Sequence, residues 1–292
     1  MADDLEPTVF SERRRAIVAL LKRNPLYVFG VAVVSFYLVF SLVVGLFPSI
    51  LHYNPVQVNL SETFRPPSLA YPFGTDDVGK SVFKEVLYGA PIDAGVSLAI
   101  IFTSFALGLI SGSLAAYLGG VVDEVIMRIT DVFLAFPGLI LAVAIAAALG
   151  PGIVNAMIAV GVVWWPIYTR IVRGEALSAK QQQYVLAAKA SGVSGPRIVV
   201  RHIIPNIINP LVAYASADIG NVIILFSVLG YLGLGAQPPR VDLGRLVFSG
   251  QNFIEFAPWY PILPGIVVFV IVISFAFVGD MITEYLNPRS RR

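Results

Sequence analysis

"LYVFGVAVVSFYLVFSLVVGLF", residues 26–47, contains no charged residue. A helix of about 20 residues, rising about 1.5 Å per residue, crosses the roughly 30 Å hydrocarbon core of a bilayer, so this stretch reads as a transmembrane helix. Arg13, Arg14, Arg15, Lys22 and Arg23 precede it, as basic residues precede the apolar run of a secretory signal. The run is too long for a signal and no small-x-small cleavage site follows, so the helix is expected to be retained.

Five further apolar stretches meet the same test: Ala94–Leu118, Val132–Leu149, Ile153–Val172, Ile207–Leu232 and Pro261–Ile282. Bulk composition agrees. Of the 292 residues, 57% are hydrophobic and only 13% charged, against about 25% charged in a soluble domain. The expected fold is all-α, a polytopic bundle of six transmembrane helices. Orientation follows from the Lys and Arg residues, which collect on cytoplasmic segments. Fifteen of the 20 fall on segments that share a side with the N-terminus, which places both termini in the cytoplasm. The chain then divides into a cytoplasmic segment 1–25, a first helix 26–47, an extracytoplasmic segment 48–93, a five-helix core 94–282 carrying a cytoplasmic loop 173–206, and a cytoplasmic tail 283–292.

The absence of cysteine excludes disulfides, thiolate catalysis and cysteine-ligated metals, and two histidines are too few for a histidine-rich metal site. A formal net charge of +2 gives no electrostatic case for a nucleic-acid partner. "GTDDVGKS", residues 74–81, matches the pattern of a phosphate-binding loop. Three features argue against that reading: the segment is extracytoplasmic, no strand pattern leads into it, and Asp76 and Asp77 put two carboxylates where a phosphate would sit. Gly74, Thr75, Asp76, Asp77 and Gly79 read instead as a turn-rich loop, with contact to an external partner or a gate as the functional alternative. The spacing of a calcium loop is missing, so no metal is expected there.

Gly108 and Gly112 form a GxxxG pair followed by Ala116, a surface on which another helix can approach closely. Tyr214, Asp218 and Asn221 stand at i, i+4 and i+7, a polar stripe on an apolar helix. A carboxylate inside a bilayer is costly and faces a cavity or a partner. Translocation-pathway lining and an interhelical hydrogen bond are both open readings of Asp218.

The long loop carries the most information. Tyr184, Ala187, Ala188 and Ser191 recur at three- and four-residue spacing, Gly192 and Gly195-Pro196 stop that helix, and Pro196 suits the first turn of the next. A face this small suits close packing by a protein partner. An interfacial helix on membrane lipid is the competing reading, but the Leu, Phe and Trp load of such helices is missing.

"YVLAAKASGVSGPRIVVRHIIPN", residues 184–206, resembles the signature loop of ABC importer membrane subunits, with Ala187, Ala188, Gly192 and Pro205 in the signature places and Arg201, His202 and Ile204 as in the peptide-permease branch. The similarity extends through "LKRNPLYVFG", "RPPSLAYPFGTDDVGKSVFKEVLYGA", "LGYLGLGAQPP", "APWYPILPG" and "GDMITEYLNPR" to the dipeptide and oligopeptide permease subunits of the C type. Leu186 stands where the family usually has an acidic residue. Lys80 and Ser81 replace a usual Arg-Asp, "RVDLGRL" replaces a usual Ser-Trp-Gly, and Phe226-Ser227 stands where an acidic residue often precedes the LGLG run.

The resemblance implies a non-enzymatic permease subunit in the inner membrane. It implies a sister permease subunit, two ABC ATPase subunits that bind the ATP and Mg, and an extracytoplasmic solute-binding protein. This chain would hold no cofactor. Tyr184, Leu186, Ala187, Ala188, Gly192, Arg197, Arg201, His202 and Pro205 would form the ATPase-coupling surface. Di- or oligopeptides are the implied cargo, with oligosaccharides and nickel complexes carried by relatives of the same branch. From the residues alone an ion-coupled secondary transporter with a titrating Asp218 stays open, and a channel is weaker for want of a ring-forming charge motif.

Overall fold

The computed structural model describes residues 18–286, and the expectations for Arg13–Arg15 and for residues 287–292 lie outside them. It is an all-helical membrane bundle. Helix α1, Pro25–Leu46, starts where Asn24 accepts a hydrogen bond from the Leu26 amide at 3.0 Å and Pro25 takes the first helical position, where its missing N–H has no consequence.

Helix α2 runs over Val82–Leu118 and so begins well before the expected Ala94, with Pro91 in its interior. The apolar pattern starts only after that proline, which is why the sequence hides the first turns. Helix α5, Ile153–Lys180, likewise continues past the expected Val172, because no proline follows Pro166 to stop it.

The third expected span, Val132–Leu149, is not one helix. Gly120–Leu134 forms α3, Gly138–Leu149 forms α4, and the two meet at 87°. Pro137 causes the break: it lacks the N–H that would continue the ladder, disfavours helical geometry at Phe136, and itself sits at φ −56°, ψ 123° as the cap of α4. Among the described residues, five helices are therefore long and apolar enough to cross a bilayer, and the bent pair makes a sixth crossing if it acts as one.

A short helix α6, Gln183–Ala190, follows α5. Gly195–Tyr231 then forms one long element, α7, whose turn Val199–Ile203 is widened to π geometry. Pro205 explains the widening, since it offers no N–H to the Arg201 carbonyl one turn earlier. Helix α8, Leu243–Gly250, precedes the last span, α9, Trp259–Leu286.

Three buried clusters hold these elements together. Ile100, Ala146, Ala156, Val160, Tyr168 and Phe226 join α2, α4, α5 and α7. Val34, Tyr37, Ile223, Leu246 and Phe275 join α1, α7, α8 and α9. Val172, Ala176, Val185, Ile198, Ile203 and Leu211 bind the loop helix α6 to the ends of α5 and α7. The GxxxG expectation is met on the α2–α5 crossing: a Cβ at Gly108 would overlap Tyr168, and one at Gly112 would lie 2.6 Å from the Thr169 carbonyl oxygen.

Candidate functional site

The sequence singles out three groups of residues, and each occupies its own place in the bundle. The first is the loop under α5 and α7. Helix α6 stands on Val185, which is buried with Ile198, while Tyr184, Ala187 and Ser191 are exposed at i, i+3 and i+7. Ala188 departs from the expected single face, because it turns partly inward against the same cluster as Val185. Gly192 ends the helix at φ +75°, with Val193 N–H donating back to the Ala188 carbonyl, a C-terminal cap that favours a residue without Cβ. Leu186, Arg197, Arg201 and Pro205 are exposed and His202 is half-buried around the widened turn. What the geometry provides is an exposed surface with the small residues Ala187 and Ser191 beside Tyr184, anchored through Val185 to the ends of α5 and α7.

The second group lies in the bundle. Tyr214, Asp218 and Asn221 all line one cavity of about 500 Å3, together with Phe133, Trp164 and Ile167. Asp218 is 3% exposed and its carboxylate is fully engaged. Trp164 Nε1–H donates to Oδ2 at 2.6 Å, the Tyr168 hydroxyl donates to the same oxygen at 3.1 Å, and Asn221 donates to Oδ1 at 3.0 Å. The stripe faces a cavity, and the Asp218 carboxylate clamps α5 to α7, the interhelical hydrogen bond that is one of its two readings. Tyr214 stacks edge-on against Tyr168 at 5.6 Å, so the cavity wall is aromatic with Asn221 as its exposed amide.

The third group is the loop that leads into α2, and most of it is inside its own fold. Gly74, Thr75, Asp76 and Gly79 are buried and Asp77 is exposed, in keeping with the reading of a turn-rich loop, so that of the five Asp77 is the one whose side chain is open to an external partner. Thr75 Oγ1 donates to the Glu62 carbonyl and accepts from the Arg65 amide, and Trp259 Nε1–H donates to the Thr75 carbonyl at 3.2 Å. Asp76 Oδ1 accepts from the amides of Val78 at 3.0 Å and Lys80 at 2.6 Å. In a phosphate-binding loop such amides would face the ligand; here the loop's own carboxylate takes them, although α2 does begin directly after Ser81. Burial pushes the Asp76 carboxyl up to about 6, against the opposing pull of those two amides. Lys80 donates to the Pro55 carbonyl, and the Tyr260 hydroxyl donates to Asp77.

Residues 104–292 match the protein family described as binding-protein-dependent transport system inner membrane component. The chain belongs to that family. Among relatives of this inner membrane component, the dipeptide transport system permease protein DppC of Alkalihalophilus pseudofirmus is 34% identical, the match covering 93% of this chain and 88% of that one. The probable D,D-dipeptide transport system permease protein DdpC of Escherichia coli K12 is 38% identical over 94% of this chain and 91% of its own. The glutathione transport system permease protein GsiD of Escherichia coli is 39% identical over 76% of this chain and 74% of its own. A solved structure of the MetNI methionine ABC transporter in an inward-facing conformation superposes with TM-score 0.57 at 18% identity, over 70% of this chain and 97% of that one. That likeness establishes the shared fold.

Within this inner membrane component, the residues that sequence reasoning missed are the partners of those it found. Trp164 and Tyr168 lie about fifty positions from Asp218, too far for any periodicity to connect them. Lys180 donates to the carbonyls of Ala116 and Tyr117, capping the end of α2 and tying it to the base of the loop. Asp242, within a segment that the sequence marks only as a departure from the family pattern, organises the "LGLGAQPP" turn: Oδ2 accepts from Ala236 N–H at 2.6 Å and Oδ1 from Arg245 N–H at 2.8 Å. Gly230 and Gly235 leave room for that carboxylate, and burial raises its pKa.

Removing the Asp218 clamp has a definite expected cost. Asp218→Ala leaves the Trp164 and Tyr168 donors inside the bundle without an acceptor and should destabilise by about 2–4 kcal/mol. Asp218→Asn retains an acceptor and should stay within about 1 kcal/mol. Thermal unfolding of the two purified variants, side by side, checks the difference; equal melting temperatures would mean that the clamp carries no weight.

Proposed function

We propose that this chain is the membrane-spanning permease subunit of an ATP-driven importer of dipeptides and short oligopeptides. It works in the inner membrane with both termini in the cytoplasm, beside a sister permease subunit. Two ABC ATPase subunits supply ATP and Mg chemistry from below, and an extracytoplasmic solute-binding protein delivers cargo from above. The chain itself transmits force and catalyses no bond change.

The observation that carries this reading is the face of α6. Tyr184, Ala187 and Ser191 are exposed on a helix anchored through Val185 to the ends of α5 and α7, so a push on that face reaches two long spans as rigid bodies. The dipeptide and glutathione names of the relatives support the cargo class. The cavity wall fits a low-selectivity path, since it offers aromatic rings and one amide while its carboxylate is already held by three donors.

Reconstitution tests the proposal. With its genomic partners the chain should copurify with an ATPase, and vesicles containing the complex should take up labelled dipeptide only with ATP at the cytoplasmic face and binding protein at the opposite one. Uptake by the chain alone, driven by a proton gradient, would overturn it.

A further inference from the structure

A second cavity, of about 640 Å3, opens beside the loop helix and is lined by Tyr117, Leu118, Leu177, Lys180, Val185 and Lys189, among others. Its lining is amphiphilic: Leu118, Leu177 and Val185 share it with Lys180 and Lys189, and the Lys180 ammonium lies over the Tyr117 ring. Lys180 uses two of its three N–H donors on the carbonyls that end α2 and keeps one, and its charge lies 5.6 Å from the Tyr117 ring centroid. Lys189 is exposed.

The cavity shares Leu118 with an exposed apolar track on α2. Leu107, Ile110, Leu114 and Leu118 are each 47–60% exposed and fall on one face of α2, and Leu118 at the end of that track also lines the cavity. An occupant therefore meets hydrocarbon along α2 and positive charge where α2 and α5 end. One class of molecule in a membrane has that shape: an acyl chain joined to an anionic phosphodiester. Juxtamembrane lysines attract such headgroups, and each contributes about fivefold in affinity.

We propose that this cavity is a binding site for an anionic phospholipid, with the acyl chain along Leu107–Leu118 and the phosphodiester between Lys180 and Lys189. The assignment to the cytoplasmic leaflet rests on the proposed topology; the site itself does not. Because Val185, Leu186 and Lys189 of α6 all line it, occupancy would brace the loop helix against α2 and α5 from behind, leaving Tyr184, Ala187 and Ser191 free.

The test is native mass spectrometry of the full-length protein in detergent, titrated with phosphatidylglycerol and phosphatidylcholine of equal chain length. The account expects phosphatidylglycerol to bind at least about fivefold more tightly, and Lys189→Gln to reduce that preference about fivefold. Lys84→Gln, on the opposite end of α2, should leave it unchanged. Equal binding of the two lipids, an unaltered preference in Lys189→Gln, or displacement of the lipid by millimolar inorganic phosphate would overturn the proposal. So would loss of the lipid when an ATPase partner is added, which would assign the cavity to the protein interface. Modification of a Lys189→Cys variant by an impermeant maleimide from outside intact cells would instead refute the topology, leaving the titration as the reading of the site.

Discussion

Ala187→Trp should abolish ATP-driven uptake and weaken attachment of the ATPase by at least about 30-fold while leaving the melting temperature of the isolated chain unchanged. The reason is where the side chain points. Ala187 is exposed on α6 beside Tyr184 and Ser191, so an indole there adds bulk to the outer surface and displaces nothing within the chain. An interface built on a close approach to small residues loses its fit when a large one intrudes, and about 2 kcal/mol or more is the usual scale for a central interface position, which corresponds to that factor. Ala188→Trp gives the contrast. Ala188 packs partly against the cluster of Val185 and Ile198, so overpacking should also destabilise the chain by about 1–3 kcal/mol. A pull-down of the ATPase combined with thermal unfolding separates the two outcomes, and loss of stability without loss of binding in Ala187→Trp would contradict the account.

The second large effect is expected at the α2–α5 crossing. A Cβ at Gly108 would already collide with the backbone and Cβ of Tyr168, neither of which can rotate away. Gly108→Leu must therefore push two closely packed helices apart, and with them the Tyr168 hydroxyl that donates to Asp218. Failure to accumulate as a monodisperse protein is the expected result, with a destabilisation above about 4 kcal/mol, in the range reserved for a broken core. Gly95→Ala on the same helix is the matched control, because nothing lies within 4 Å of its Cβ position and alanine favours a helix over glycine by up to about 1 kcal/mol. Size-exclusion profiles and melting curves of both variants decide the matter. A folded Gly108→Leu protein with wild-type stability would show that the crossing is looser than its geometry implies.

The parts of this molecule that sequence makes legible are those written in local periodicity. The apolar spans, the GxxxG contact of Gly108 and Gly112, and the short helix stopped by Gly192 each declare themselves within a short window, where spacing and steric rules act directly. The break at Pro137 is visible as a proline but not as a right-angle turn, because hydropathy is blind to direction: Val132–Leu149 is apolar on both sides of the bend. The partners of Asp218 are hidden for a different reason. Trp164 and Tyr168 face it only once α5 lies beside α7, and tertiary pairing of this kind leaves no mark on either segment. The loop before α2 is legible as a turn-rich segment, but not which groups it ties together: Asp76 is the internal acceptor for the Val78 and Lys80 amides, a pairing that composition alone does not single out.

Because the chain contains no cysteine, a single one can report on one position without background. The most direct test of the account is thiol cross-linking from Ala187→Cys in membranes holding the assembled transporter. The account predicts a covalent adduct between position 187 and the ATPase, formed with altered yield when ATP is added, and none from Val185→Cys on the buried side of the same helix. A thiol in the Ala187→Cys variant that reaches only lipid, that is labelled from outside the cell, or that leaves the ATPase unlinked in every nucleotide state would contradict it.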